Sequence, residues 1–225
     1  MRSIAALCIV TLIMALPQKA SAAGDPVTDE QNTLYALGIA ISQSLANFAL
    51  TEAELEYVKA GIADGVLKRP RKVELQTYGP KLQQLQQSRA AAVAEGEKKA
   101  GTAFLTKAAA EAGATKTESG MVIKSLKAGT GATPKATDTV KVHYHGTLID
   151  GTVFDSSVAR GEPATFGLDQ VIKCWTEGVQ HIKVGGKSRL VCPPALAYGD
   201  RGAPPQIKPG ATLVFEVELL DITKK

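Results

Sequence analysis

The chain has 225 residues, of which 44% are hydrophobic and 21% are charged, and its formal net charge is +4. This composition is typical of a globular protein and excludes a largely disordered chain, while the length suits one large domain or two small ones. Because the weak positive charge accompanies no recognisable DNA- or RNA-binding motif, we expect no nucleic-acid partner.

Residues 1–23 have the three parts of a secretory signal peptide. Arg2 supplies the positive start, residues 4–16 are an apolar run, and Ala20-Ser21-Ala22 offers a small-residue cleavage site. The alternative, a buried or membrane-anchoring helix, is less favoured because the run is too short to span a bilayer. We therefore expect a periplasmic protein without an integral membrane segment after processing, with outer-membrane association as a second possibility.

Residues 24–112 carry helical signals. Thr28 with Gln31, and Thr51 with Glu54, each fit a capping box, which predicts two helix starts. Apolar residues follow at helical spacing: Leu34, Leu37, Ile41, Leu45 and Phe48 after the first start, and Leu55, Val58 and Ile62 after the second. The basic segment 68–72 is expected to be a solvated loop, although its charges also suit a membrane surface or an acidic partner.

A long polar, alanine-rich stretch follows from Val73 to Ala112. Pro80 suits the first turn of a helix, so it is expected to begin or to kink the main segment. The apolar stripe of this segment is thin and consists of Leu82, Leu85, Val93, Ala100 and Phe104. Because a helix of about 30 residues would reach ~45–50 Å, we predict a stalk too polar to be buried. Gly113 is expected to end it, and residues 113–118 to form a linker.

The last hundred residues lose helical spacing and gain glycine, proline and β-branched residues. Alternation predicts strands, and Asp150-Gly151 predicts a two-residue hairpin turn. The predicted segments are strands at 140–146, 188–192 and 212–220 and a short helix at 174–183. These elements predict an α+β domain over residues 119–225, in which an antiparallel sheet packs on one short helix.

Standard catalytic motifs are missing from the sequence. It contains no glycine-rich phosphate loop, no nucleophile elbow and no C-x-x-C motif. His143 and His145 point to the same face of one predicted strand, which could begin a metal site. No carboxylate completes a ligand set with them, so a structural histidine pair is favoured and we expect neither a metal nor a cofactor.

Five segments resemble, in order, motifs of the FKBP-type peptidyl-prolyl cis-trans isomerases. They are HYHGTL at 143–148, DGTVFDSS at 150–157, VIKCWTEG at 171–178, LAYGDRG at 196–202 and ATLVFEVELL at 211–220. The resemblance covers about residues 119–222. The helical part resembles the N-terminal dimerisation region of the macrophage infectivity potentiator subgroup through its helix layout and through Tyr35-Ala36-Leu37-Gly38.

The resemblance implies an FKBP-like sheet wrapped around a short helix, with an apolar pocket between them. Its implied catalytic residues are Tyr144, Phe154, Asp155, Val171, Ile172, Trp175, Tyr198 and Phe215, and its implied substrate-binding residues are Arg160, Phe166 and Ile207. Trp175 would form the floor, the Ile172 N–H would hold a substrate carbonyl, and Arg160 would pair with Asp155. An aromatic or aliphatic residue on a strand can also be plain core, and Phe166 is the clearest such case.

The sequence departs from the common family pattern at four positions. They are Ala164, where an aromatic residue is frequent, Cys174, where glycine is usual, and Ala203 and Gln206 in the loop before the last strand. The loop changes bear on substrate preference and on affinity for macrolide inhibitors. In an oxidising compartment we expect a disulfide between Cys174 and Cys192, with two buried free thiols as the alternative.

Two functions of different classes follow from the resemblance. The first is a peptidyl-prolyl isomerase that acts on proline-containing unfolded or exported polypeptides. The second is a dimeric periplasmic chaperone whose helical arms hold unfolded chains, with isomerisation incidental. A homodimer through residues 24–112 suits both, and a surface-exposed virulence or adhesion factor is a weaker third hypothesis.

Overall fold

The computed structural model describes residues 24–223, so the predicted signal peptide lies outside the described residues. The helices are α1 (Asp29–Leu45), α2 (Glu52–Val66), α3 (Leu75–Ala109), α4 (Ser157–Arg160) and α5 (Lys173–Gly178). The strands are β1 (Ala114–Lys116), β2 (Val122–Lys127), β3 (Thr139–Leu148), β4 (Val153–Ser156), β5 (Ala164–Gly167), β6 (Lys187–Cys192) and β7 (Leu213–Thr223). The density of contacts between residues divides the chain into two compact units, with the boundary between Ala40 and Ile41. The domain limits at residues 112 and 118 stay predictions.

Both predicted capping boxes are confirmed. The N–H of Gln31 donates to Thr28 Oγ1 at 3.2 Å, and the N–H of Thr28 donates to Gln31 Oε1 at 3.1 Å. The reciprocal pair is also present at the start of α2, between Thr51 and Glu54. A hydrogen bond from Arg89 of α3 to the Glu54 carboxylate, helped by the bonds from Thr51, lowers the pKa of Glu54 to about 2. Glu54 of the α2 capping box therefore also ties α2 to α3.

Helix α3 begins at Leu75, so the first of the two alternatives for Pro80, that it begins the helix, is wrong, and the second, a kink, stays a prediction. The N–H groups of Thr77 and Tyr78 donate to the carbonyl of Glu74, so the first turn forms ahead of the proline. Pro80 then lies inside the helix, where its missing N–H removes one backbone hydrogen bond.

The buried face of α3 is not the predicted apolar stripe. Its buried residues are the small ones Ala94, Gly101 and Ala108, whereas Leu82 and Leu85 are exposed. Ala108 packs in a cluster with Val122 and Val191 of the sheet. Small side chains allow a close approach of the helix, so the end of the predicted stalk is held against the sheet.

The sheet has seven strands in the order β1-β2-β6-β7-β3-β4, and β5 also pairs with β3. Every pairing is antiparallel. Strand β7 alternates as predicted, with Leu213, Phe215, Val217 and Leu219 buried. The predicted hairpin joins β3 to β4, but its turn is longer than the two residues predicted. The N–H of Gly151 donates to the carbonyl of Leu148 at 3.1 Å, the N–H of Leu148 donates to the carbonyl of Thr152 at 2.9 Å, and Gly151 is left-handed with φ of +88°. The predicted α+β fold class is confirmed.

The core lies between one face of the sheet and α5. Cys174, Trp175 and the following Val179 are buried against sheet residues such as Leu190 and Val217. The chain of α5 approaches the sheet closely at Gly178, where a β-carbon would lie 2.7 Å from Leu190 Cδ1.

Cys174 of α5 and Cys192 of β6 are joined as a disulfide in the structure. Both residues are fully buried and their Cα atoms are 5.7 Å apart, within the range usual for disulfides. The bond would fasten the short helix to the sheet beneath it. Its presence in the exported protein stays a prediction.

Within residues 24–223, none of the helices combines the length and the apolar character that crossing a bilayer requires.

Candidate active site

An open pocket of about 450 Å³ lies between the sheet and α5. Its lining residues are Tyr144, Phe154, Asp155, Phe166, Gln170, Val171, Ile172, Trp175, Tyr198 and Phe215. The structure thus brings together every predicted site residue except Arg160 and Ile207, and it adds Gln170. These residues are far apart in sequence and come from four strands, one helix and two loops.

A glycine on β3 allows two pocket rings to meet. Gly146 pairs with Phe215 across the ladder between β3 and β7. A β-carbon at Gly146 would lie 2.8 Å from the ring of Phe154 and 3.1 Å from that of Phe215. Without that carbon the two rings pack edge to face, with centroids 5.5 Å apart.

Trp175 forms the floor of the pocket and is surrounded by three other rings. Its indole packs edge to face against Tyr144 at 5.3 Å, Phe166 at 5.5 Å and Phe215 at 5.4 Å between centroids. Each such pair adds about 0.5–1.5 kcal/mol beyond the burial of its area. Trp175 Nε1 is buried without a hydrogen-bond partner among the described residues. The three edge-to-face contacts fix the orientation of the indole in the floor of the pocket.

One wall of the pocket is polar and centres on Asp155. The hydroxyl of Tyr144 donates to Asp155 Oδ2, and Arg160 Nη1 donates to Asp155 Oδ1 at 2.5 Å. Arg160 Nη2 also donates to the Tyr144 hydroxyl at 3.0 Å, which closes a three-residue network. Partial burial raises the pKa of Asp155, but the hydrogen bonds from Tyr144 and Arg160 outweigh it and hold that pKa below its ordinary value.

The pKa of Tyr144 is raised, first by burial and then by its hydrogen bond to the Asp155 carboxylate. Asp155 is thus a charged acceptor and Tyr144 a neutral donor at neutral pH. Neither group is poised to exchange a proton with a substrate near pH 7.

The two predicted residues outside the lining occupy different positions. Arg160 ends α4, a short helix capped by Ser156, and contacts the pocket only through Asp155 and Tyr144. Ile207 is 5% exposed and belongs to the core cluster behind the pocket. It also lines a second cavity of about 370 Å³ beside Val93 of α3.

Gln170 lines the pocket but was missed by the sequence reasoning. It lies between β5 and α5, in a loop whose amide N–H at Gln170 donates to the carbonyl of Gly167. A single polar residue in a loop gives no chemical signal. Its position next to the predicted Val171 was the only clue.

The two histidines of β3 contact serines. His143 Nδ1 is 3.2 Å from Ser157 Oγ, and His145 Nδ1 is 3.0 Å from Ser156 Oγ. Both contacts link β3 to the chain at the end of β4, which supports the interpretation that the two histidines are structural. Over residues 24–223, no group of three or more histidine, cysteine or acidic residues is arranged to hold a metal ion.

Comparisons with known proteins agree with this site and fold. Residues 130–220 match the model of the FKBP-type peptidyl-prolyl cis-trans isomerase domain, and residues 30–124 match the domain amino terminal to such isomerases. The isomerase FkpA of Aeromonas hydrophila is 44% identical over 207 residues, which are 87% of this chain and 77% of that protein.

Two further relatives also match most of the chain. The outer membrane protein MIP of Legionella longbeachae is 34% identical over 96% of this chain and 95% of its own length. The crystal structure of FkpA from Escherichia coli superposes with a TM-score of 0.67 at 38% identity, covering 88% of this chain and 98% of that one.

The fold and the pocket define an isomerase-type domain behind a helical region. The chain belongs to the family of FKBP-type peptidyl-prolyl cis-trans isomerases, a family of enzymes.

Proposed function

We propose that this protein assists the folding of exported proteins by isomerising their X-Pro bonds in the pocket over Trp175. The observation that carries the proposal is an aromatic cavity with one charged group, Asp155, which Tyr144 and Arg160 already satisfy. Such a cavity can bind a substrate by its complementary shape and its apolar surface, and it presents no nucleophile to the substrate.

The chemistry of X-Pro rotation suits a pocket of this kind. Resonance makes the C–N bond partly double, which gives a barrier of ~18–20 kcal/mol. In the twisted transition state this resonance is lost and the carbonyl oxygen carries less negative charge. Water stabilises the polar planar form, so transfer to an apolar pocket lowers the free energy of the twisted form relative to the planar one. A reduction of ~5 kcal/mol in the rotational barrier would accelerate rotation several thousand-fold.

Ile172 is proposed to orient the substrate through its backbone. It caps α5, and its carbonyl accepts the N–H groups of Trp175 at 2.8 Å and Thr176 at 3.1 Å. We assign its own N–H to the carbonyl of the residue before proline. The Asp155 network would fix the Tyr144 ring, and thereby the wall against which the proline ring packs.

The test is a proline-isomerisation assay on short X-Pro peptides with varied X. Phe215→Ala opens the cage around Trp175 and is expected to lower kcat/KM at least about ten-fold, since filling the cavity supplies transition-state binding. Phe48→Ala, a change of the same kind outside the pocket, is the matched control. Equal activities of the two variants would contradict the pocket assignment.

Holding of unfolded chains is a second candidate function. The observation that favours it is the number of large apolar side chains exposed on the first three helices: Leu34, Tyr35, Leu37, Ile39, Ile41, Tyr57, Ile62, Val66, Leu75, Tyr78, Leu82 and Leu85. Suppression of the aggregation of a proline-free client separates the two functions. If Phe215→Ala reduces that suppression as much as it reduces isomerisation, independent holding by the helices is wrong.

We further propose that residues 24–112 form a homodimer. Helices α1 and α2 contain no buried residue, yet both carry apolar side chains at helical spacing. Exposed apolar faces of this kind mark interaction sites, and we assign part of these faces to a second copy of the chain. The dimer would place two pockets in one particle, which suits both proposed functions.

Export to the periplasm is proposed from residues 1–23, with outer-membrane association as the alternative that the name of the Legionella relative suggests. Fractionation of cells that express the full chain, with and without these residues, tests the proposal. Retention of the full chain in the cytoplasm would contradict it.

A further inference from the structure

One lining residue of the pocket, Tyr198, belongs to a loop that α3 contacts. We define the pocket loop as residues 198–210, between β6 and β7. It begins with Tyr198, which lines the pocket, and it contains Ile207, which is buried in the core cluster behind the pocket. A shift of this loop would therefore move both residues.

The pocket loop is closed on itself by backbone hydrogen bonds. Ala203 and Ile207 exchange two N–H···O bonds of 2.8 and 3.0 Å, and the N–H of Gly210 donates to the carbonyl of Gly199 at 2.9 Å. The loop thus behaves as a small unit that can be held or released as a whole.

Two ion pairs join this unit to α3. Lys98 Nζ lies 2.8 Å from Asp200 Oδ1, and Lys208 Nζ lies 3.0 Å from Glu97 Oε1. Lys98 is also 3.6 Å from Glu95 on its own helix. Two adjacent helix residues of opposite charge therefore hold two points of the loop, at its beginning and near its end.

Backbone contact reinforces these pairs at Gly210. A β-carbon there would lie 2.6 Å from the carbonyl oxygen of Ala94, and Gly210 has a φ of +74°, which favours glycine. Ala94 itself is 2% exposed. The loop and the helix meet without intervening side chains at this point, so the helix forms a rigid backing for the loop.

We propose that Glu97 and Lys98 of α3 are positioning residues for the isomerase site, because they hold the pocket loop and with it Tyr198 and Ile207. The inference rests on the proposed function of the pocket. It assigns part of the long helix to substrate binding, in addition to its role as a connection between the helical region and the sheet.

Loss of these pairs has a specific kinetic consequence. The apparent affinity for substrate is the intrinsic affinity multiplied by the fraction of molecules whose pocket loop is in the competent conformation, so it falls when that fraction falls. Once substrate is bound, it holds the loop in the competent conformation. KM should therefore rise and kcat should stay nearly constant. Because an exposed ion pair is weak, each single substitution is expected to change KM by about two- to five-fold.

The experiment uses the full chain with Lys98→Met, Glu97→Gln and the double substitution. Kinetic constants are measured on an X-Pro tetrapeptide, and hydrogen exchange is followed at the amides of Ala203, Ile207 and Gly210. Lys98→Arg keeps the charge and should restore both readouts. Lys99→Met, on the exposed side of the same helix, is the matched control.

In the double variant we expect faster exchange at the loop amides and a KM raised by about five- to ten-fold with kcat within a factor of about two. Unchanged exchange and an unchanged KM would overturn the proposal, and so would a fall in kcat at constant KM. Exchange is independent of catalysis. If the pocket were not the isomerase site, loop exchange would still respond to these substitutions while the kinetic constants did not.

Discussion

Thr212 Oγ1 lies so close to Gly101 of α3 that a β-carbon at residue 101 would be 2.1 Å from it. Thr212 is 2% exposed and directly precedes β7, the central strand that carries Phe215. The oxygen has no hydrogen-bond partner among the described residues. Helix α3 therefore meets the sheet through a glycine, at a point where no side chain would fit.

Gly101→Ala should consequently destabilise the protein, although alanine is the better helix former by about 0.5–1 kcal/mol. We expect a loss of about 1–3 kcal/mol in the free energy of unfolding, the usual cost of overpacking. Gly96 lies on the same helix with nothing within 4 Å of its added carbon, so Gly96→Ala should stabilise by about 0.5–1 kcal/mol. Urea unfolding measures both changes. A stabilising Gly101→Ala would mean that α3 does not rest on the sheet as described.

Two truncations test the dimer and the division of the chain. Deleting residues 24–88 keeps the part of α3 that packs on the sheet, and this variant should be monomeric and fully active on a short peptide. Deleting residues 24–112 should also give an active monomer, but with a raised KM because Glu97 and Lys98 are lost. It also uncovers Val122 and Val191, which Ala108 covers, and should be less stable. Light scattering and the peptide assay provide the readouts. A dimeric truncation would contradict the proposed interface.

The charge of Asp155 gives a pH prediction. Its folded-state pKa lies below its unfolded-state value, so the ionised network contributes stability that is complete above the unfolded pKa and is lost as pH falls through the folded pKa. The difference in free energy of unfolding between the native chain and Asp155→Asn should therefore be constant from about pH 8 to about pH 5 and should shrink below that. Denaturant titrations over this range measure it. A difference that changes between about pH 6 and about pH 8 would show that another group controls the network.

The Cys174–Cys192 disulfide closes a short loop, since the two residues are 18 positions apart. Replacing both cysteines by alanine should lower the free energy of unfolding by about 3 kcal/mol, chiefly through the greater freedom of the unfolded chain. Intact mass before and after reduction and alkylation establishes the bond in the exported protein. Alkylation of both thiols without a reductant would exclude it.

Local signals predicted much of this fold. The capping boxes at Thr28 and Thr51 and the alternation in β7 each depend on neighbours close in sequence, and each is confirmed. The hairpin at Asp150-Gly151 is also present, but its turn is longer than the two residues predicted. The short strands β1, β2 and β5 were not predicted. With three to six residues each, they are defined by the strands with which they pair: β1 with β2, β2 with β6, and β5 with β3.

The packing of α3 illustrates what sequence reasoning lacks. Ala94, Gly101 and Ala108 carry almost no hydrophobic signal, so the segment was predicted to be too polar for burial. Ala94 and Gly101 are buried by close contact with Gly210 and Thr212, more than a hundred residues later in the chain, and Ala108 is buried against Val122 and Val191. The pocket residues were predicted through a family resemblance, since their convergence from four strands and α5 has no local signature.

The measurement that tests the central claim most directly is the rate of cis-to-trans isomerisation of an X-Pro tetrapeptide at micromolar protein. Uncatalysed isomerisation takes tens to hundreds of seconds. We predict an acceleration of at least about ten-fold by the full chain, largely lost in Phe215→Ala and retained in Phe48→Ala. No acceleration by the full chain, for any residue before proline, would contradict the claim that the pocket over Trp175 catalyses this reaction.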